Sequence, residues 1–342
     1  MEPVRGGEPI FQRLVLHVGS HKTGTSAIQR AANLCRGALL DQGVLYPESG
    51  QWHDSSHHQW SFALWDREDG AARVDALCAQ LEAECEALST PVETGVLSSE
   101  LLEKILIRGP ESFVNQTLSR LASSVTVVLF LRRQDLLVES VFKQWVKDPA
   151  TRLRTDVQTF LKEQIPNLDF NAIASSWRSL SIVDDVIVRT NALESHPVET
   201  FFGALGWSHV LDDFSEGEKI INASLDGRKL EFKFFANALA LTNDEDKNLL
   251  TQLARVKAPK ERLSIFSDAD RTAFIKRFDA CNEALYRAFS CEAFNDHMPS
   301  HDRLFRTLSG QELSAVLRDL EQVDKALHDT LFSKIAQHLK AA

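Results

Sequence analysis

Residues 125–131, "VTVVLFL", are the longest apolar run in the chain. Such a run has strand length and falls well short of the about 20 residues that a membrane-spanning helix needs. A strand without polar alternation is covered on both faces, as in a parallel sheet flanked by helices. The segments "RLVLHVGS" (13–20), "VETGVLSSE" (92–100) and "IVDDVIVRT" (182–190) also read as strands. A short strand is expected within "DQGVLYPESG" (41–50), between a turn and a Pro/Gly break. Helices are expected over 25–40, 57–88 and 136–147. Apolar strands alternating with helices predict an α/β fold built on a parallel sheet.

Beyond residue 222 no strand is expected. Residues 228–241, 270–289 and the last segment all read as helix. The last opens with "SGQE" (309–312), a capping-box pattern. It continues with Leu313, Val316, Leu317, Leu320, Val323, Leu327, Leu331 and Ile335 on one stripe. These patterns predict an α/β core over 13–221 and a mainly helical C-terminal region over 222–342, packed on the core as one functional unit. The last helix either docks on the domain or pairs two copies in a homodimer.

The 342 residues carry 38 basic and 48 acidic side chains, a net charge of -10. That balance argues against nucleic acid as a partner. The distribution matters more than the total. Residues 9–40 contain no Asp or Glu, yet hold Arg13, Lys22, Arg30, Arg36, His17 and His21. Such a segment is a candidate for local anion binding. Cys35, Cys78, Cys85, Cys281 and Cys291 show no zinc-site spacing and read as buried thiols. They fit a reducing cytoplasm, and the first residues lack the apolar core of an export signal, so a cytoplasmic protein without an integral membrane segment is expected.

Within the basic segment lies "HVGSHKTGTSAIQ" (17–29), a strand, a turn of small residues and a helix start. A turn of this kind aims backbone N–H groups at one point, and the helix N-terminus adds partial positive charge. Gly19 and Gly24 permit close approach, Lys22 supplies an ammonium, and Thr23, Thr25 and Ser26 supply hydroxyls. Phosphate or sulfate is the natural guest. The pattern is neither the nucleoside-triphosphatase loop, whose lysine follows the second glycine, nor the dinucleotide fingerprint. The strand 125–131 ends in Arg132 and Arg133 where a triphosphatase would place a magnesium-holding Asp. Arginine beside a phosphate loop points to a second anionic group, with Ser140 eight residues on.

These residues resemble a family. "HVGSHKTGTSAIQ" resembles the 5′-phosphosulfate loop of sulfotransferases that use 3′-phosphoadenosine-5′-phosphosulfate (PAPS), and "LRRQDLLVES" resembles their 3′-phosphate segment. "GVLYPESG", "GVLSSELL", "NASLDGRKLEF" and "NEALYRAF" look like further stretches of bacterial sulfotransferase-like proteins. The resemblance covers about residues 14–289. It implies a P-loop-like sulfotransferase fold and metal-independent sulfuryl transfer from PAPS to a hydroxyl or amine of a carbohydrate or other small acceptor. Lys22 would stabilise the leaving group. His21, Lys22, Thr23, Gly24, Thr25 and Ser26 would surround the 5′-phosphosulfate, and Arg132 and Ser140 the 3′-phosphate.

The acceptor's proton needs a base. Glu100, at the end of its strand, His58 and Glu48 are the candidates, in that order; Glu100 would equally suit a helix N-terminus as a carboxylate favoured by the dipole. "QWHDSSHHQWSFALW" (51–65) either lines an acceptor pocket or is an amphipathic helix with at least two of its three tryptophans in the core. Asn222 to Ser224 match a glycosylation sequon, without meaning in an unexported chain. The alternatives to a sulfotransferase are a divergent nucleotide-dependent kinase and a non-catalytic protein of the same fold that binds a nucleotide or partner.

Overall fold

The computed structural model describes residues 8–190, 196–212, 225, 227–257 and 261–341. Contacts group the chain into two interleaved units. The first comprises Met1–Arg133, Asn167–Glu216 and Phe278–Asn295, and the second Gln134–Pro166, Gly217–Arg277 and Asp296–Ala342. The sequence suggested a single cut at 221/222, where the residues lie outside those described. The chain leaves the first unit after Arg133 and returns to it twice.

The first unit holds five parallel strands: β1 (Phe11–His17), β2 (Val44–Leu45), β3 (Thr94–Ser98), β4 (Ala122–Phe130) and β5 (Val183–Arg189), in the order β2-β3-β1-β4-β5. The apolar runs lie where they were expected. Leu14, Val15 and Leu16 of β1 and Val127 to Phe130 of β4 are buried, as central strands covered on both faces must be. Edge strand β5 carries exposed Asp184 and Asp185, charges that discourage edge-to-edge pairing. On one side Val15, Val96, Val128 and Phe130 pack with Ile28, Ala31 and Ala32 of helix Thr25–Leu34 and with Phe201 and Phe202 of helix Pro197–Ala204. Helices Phe170–Arg178 and Asp279–Phe289 pack on each other and on β5.

The order of strands fixes where a ligand can sit. β1 and β4 are neighbours, but the chain leaves β1 toward β2 and β3 and leaves β4 toward β5. In open parallel sheets ligands bind at the carboxyl ends of the strands where the connections diverge. Here that point lies between His17 and Phe130.

Several expected helices are broken. The stretch 25–40 divides at Cys35 into Thr25–Leu34 and Arg36–Leu40, and 57–88 divides into His58–Trp65 and Gly70–Glu86. Asp66 ends the first of the latter pair in an extended conformation, and its carboxylate accepts from the backbone amides of Glu68 and Asp69. A short polar side chain competing for backbone donors ends a helix in this way.

In the second unit Phe142, Phe160, Phe234 and Phe305 form an aromatic cluster around helix Gln134–Lys147. Two short strands, β6 (Leu263–Ser264) and β7 (Arg303–Leu304), pair in parallel, so the expectation of no strand after 222 is corrected. Two-residue strands carry no periodicity to read. The last segment is two helices, Gly310–Val323 and Lys325–Ala341, which pack on each other and on helix Asn243–Arg255. The single long helix is broken at extended Asp324, whose carboxylate accepts from the amide of Leu327. Val316, Leu317, Leu320, Leu327, Leu331 and Ile335 of the stripe are buried, while Val323 is exposed.

All five cysteines are free thiols. Cys35 and Cys78 are buried, but Cys85, Cys281 and Cys291 are partly exposed, which corrects the expectation of uniform burial. No helix among the described residues is long and apolar enough to cross a membrane.

Candidate functional site

The loop after β1 is pinned to its neighbour before it turns. The amide of Val18 donates to Val128 O at 3.0 Å, and that of Ser20 to Phe130 O at 2.7 Å. Lys22 (φ 65°) and Gly24 (φ 91°) then take left-handed conformations, one of them at a non-glycine residue where such backbone is costly. Helix Thr25–Leu34 starts without a side-chain cap and with no acidic residue in its first turn. The partial positive charge of its first amides is therefore not met by its own side chains. Gly19 admits no side chain. A Cβ there would lie 2.6 Å from His17 Nε2 and 3.3 Å from Thr25 Oγ1.

The floor of the loop is polar. His17 is completely buried between Phe130 and Phe201, with Nδ1 2.8 Å from Ser98 Oγ and Nε2 without a partner. Burial pushes its pKa down to about 3, so the ring stays neutral near pH 7. Thr23 commits its hydroxyl to Ser20 O at 2.6 Å and thereby ties the loop to itself. Ser20 donates to Glu103 Oε1 at 2.8 Å. Burial raises the pKa of Glu103, with a further push from Glu100; Lys104 and the Ser20 bond oppose this.

Cations form the rim. Arg132 follows β4 and directs Nη1 to Lys22 O at 3.5 Å, at the outer limit of a hydrogen bond. Desolvation and the nearby Arg132 lower the pKa of the exposed Lys22, against the opposing carboxylate of Glu100. His21 is also lowered, first by burial and then by Lys104, Lys22 and His58, with Glu100 again opposing. Arg133 is buried and donates to the backbone carbonyl of Asn295. The other basic residues of the segment disperse. Arg13 bonds Thr126 Oγ1 at 3.1 Å, Arg36 pairs with Glu48 and Glu84, and Arg30 is exposed.

Glu100 opens the turn after β3. Its Oε2 accepts from Gln29 Nε2 at 3.2 Å, and its Oε1 lies 4.0 Å from His58 Nε2. His58 Nδ1 is 2.8 Å from Ser99 Oγ, which is also 2.7 Å from Ser61 Oγ. Glu100, His58, His21, Lys22 and Arg132 therefore come together. Gln29 joins them as a residue the sequence reading missed. Its signal was its place four residues after Thr25, on one face of the helix. Glu48 does not join them. It is 73% exposed and held by Arg36, because it follows β2 at the edge of the sheet. Ser26 is exposed on the first turn of its helix. Ser140 lies half-buried in helix Gln134–Lys147 of the second unit.

The aromatic segment also departs from expectation. Only Trp60 is in the core; Trp52 and Trp65 are 43% and 38% exposed. His57 is fully buried, with Nε2 2.9 Å from Pro47 O and Nδ1 accepting from the amide of Ser98, and burial lowers its pKa to about 4. It ties the loop before it to the end of β3. Among the described residues no group of three or more His, Cys, Asp or Glu is arranged to hold a metal ion.

No protein-family model matches the chain, and no curated protein matches it.

Proposed function

We propose that the first unit binds PAPS and moves its sulfuryl group to a hydroxyl or amine of a small acceptor. The observation that carries this reading is the meeting of Lys22 and Arg132, from the ends of adjacent strands β1 and β4, where the sheet's connections diverge. Each cation suits one terminus of a doubly phosphorylated adenosine. The loop fits a phosphate-like group on three counts: a glycine whose side chain would collide, an uncapped helix start with no acidic residue in its first turn, and a neutral imidazole at His17.

PAPS supplies the sulfuryl group. The amides and hydroxyls of Thr25 and Ser26, with the backbone of His21 to Gly24, would hold the 5′-phosphosulfate, and Arg132 the 3′-phosphate. The ammonium of Lys22 acts where negative charge develops on the leaving oxygen, so its attraction is strongest in the transition state. Glu100 takes the acceptor's proton. Gln29 holds one of its carboxylate oxygens and His58 stands beside the other, a restraint that favours one orientation of the base.

Thermal denaturation in EDTA tests the reading. Adenosine 3′,5′-bisphosphate raises the melting temperature, since a ligand that binds only the folded chain stabilises it. An equal rise with ADP would overturn the 3′-phosphate site. In a radiolabelled-sulfate transfer assay, Lys22→Ala lowers turnover more than nucleotide affinity; the reverse ranking would make the lysine an anchor.

A further inference from the structure

Away from the loop, a line of rings steps outward from His58. Phe62 lies 6.2 Å from the His58 ring, Trp52 lies 5.6 Å from Phe62, and His53 lies 5.3 Å from Trp52. An indole left 43% exposed is the informative kind of surface residue, because it withholds a large apolar area from the core. The backbone beneath it is not slack. The amide of Trp52 donates to Ser56 O at 2.6 Å, and that of Ser55 to Trp52 O at 3.2 Å. Tyr46 Oη donates to Ser55 O at 2.7 Å, and Gln59 Nε2 to Gln51 O at 2.7 Å. The exposed ring therefore stands on a turn braced from both sides, and ordering it for a ligand costs little.

His53 packs beside the ring, and Asp54 and Gln59 of the same segment are exposed. Burial pushes the Asp54 carboxyl up, but the hydroxyl and amide of Ser56 and the nearby His58 outweigh it, so the group stays an ionised acceptor. An open aromatic surface with hydrogen-bonding groups at its edge suits a molecule with one apolar face and a hydroxylated perimeter. A phenol would need an enclosed, mostly apolar slot.

We propose that Trp52, backed by Phe62, is the stacking platform for a pyranose ring of a saccharide acceptor, with His53 and Asp54 meeting its hydroxyls. The platform names the acceptor class of the site proposed above, and in that respect rests on that reading: the sugar's reacting hydroxyl would reach toward His58 and Glu100.

Saturation-transfer NMR with cellobiose, lactose and maltose as probes tests this in the presence of adenosine 3′,5′-bisphosphate. The wild-type protein passes saturation to pyranose C–H protons of at least one probe. Trp52→Ala weakens that signal roughly threefold or more, the scale of a lost aromatic contact, and Trp52→Phe keeps most of it. Because Trp52 is 43% exposed and lies outside the core, Trp52→Ala lowers the melting temperature by only a few degrees and keeps its rise with the nucleotide. Equal signals in wild type and Trp52→Ala would overturn the platform. So would the absence of transfer to all three sugars, or a Trp52-dependent signal from 4-nitrophenol alone. If the nucleotide shift is missing while the Trp52-dependent sugar signal persists, the sulfotransferase reading fails and the platform stands.

Discussion

The two units treat buried polar groups differently. In the second, buried cations are matched to carboxylates. Arg271, 1% exposed, donates to Asp135 at 2.6 Å and to Glu139 at 2.5 Å, and fully buried Lys233 lies 3.1 Å from Asp246. Arg303 meets Glu231 at 2.7 Å and Glu312 at 2.8 Å. In the first, the buried groups at the strand ends include the hydroxyls of Ser20, Ser98 and Ser99 and the neutral imidazoles of His17 and His57, with Glu103 pushed toward its neutral form, while buried Arg133 donates to the backbone carbonyl of Asn295. Charge paired inside a fold serves the fold. Neutral imidazoles near Lys22 and Arg132 do not offset their charge, which an anion can then meet. The comparison sets a region whose buried cations are paired with carboxylates against one whose buried imidazoles lie under a cationic loop.

The largest expected effect lies in the second unit. Arg271→Ala takes the guanidinium from buried Asp135 and from Glu139, which keeps Lys143 and Ser264, and lowers stability in urea denaturation by about 3 kcal/mol, the scale of breaking a buried pair from one side. A loss under about 1 kcal/mol would show that the pair is not structural and would erase the contrast. Next, Arg132→Ala weakens adenosine 3′,5′-bisphosphate binding by roughly 1.5–3 kcal/mol in calorimetry, with little change in folding stability. Unchanged affinity would remove Arg132 from the site. Gly19→Ala then sharpens the picture of the floor. Its methyl group would press on a histidine wedged between two phenylalanines, at a cost of roughly 1–3 kcal/mol in stability with a parallel loss of nucleotide affinity. Wild-type nucleotide binding by this variant would mean that the close approach is not needed.

Acid separates the units by pH. An unfolded imidazole binds its proton near pH 6.5, whereas His17 and His57 do so only near 3 and 4. Between those values the unfolded chain holds more protons, so stability falls as pH is lowered from 6.5, by about 1.4 kcal/mol per pH unit for each histidine. Glu312 behaves differently. Hydrogen bonds from Ser309, then Arg303, hold its pKa at about 2 instead of 4.5. Its contribution is complete above pH 4.5 and is lost as pH falls toward 2. Hydrogen exchange between pH 7 and pH 5 therefore opens amides of β1 and β3 before those of helix Gly310–Val323. The opposite order would contradict the burial of His17 and His57 as neutral imidazoles. The smallest effect is that of Lys22→Ala on folding, within about 0.5 kcal/mol for an exposed side chain.

The five parallel strands, the turn holding Lys22 and the arginine after β4 could be read from the chain because each is written locally, as an apolar run or as a cluster of small and basic residues. Helix ends could not. Asp66 and Asp324 end helices through hydrogen bonds to amides only two or three residues on, and an aspartate inside a polar stretch looks the same whether or not it makes them. Helices Glu111–Leu121 and Phe170–Arg178 were not read at all, although both are amphipathic and their apolar faces are buried.

The sequence alone determined that a cationic turn would follow one buried strand and an arginine another, since strand, turn and helix each follow from spacing within a few residues. It could not decide that those strands would be neighbours, that Gln29 and His58 would flank Glu100 while Glu48 turned to Arg36, or that Trp52 would stay partly exposed while Trp60 went inside. Such outcomes depend on which segments pair across gaps of tens of residues. Pairing of that kind is settled by how all the apolar faces can be buried together, and no single stretch of chain records it.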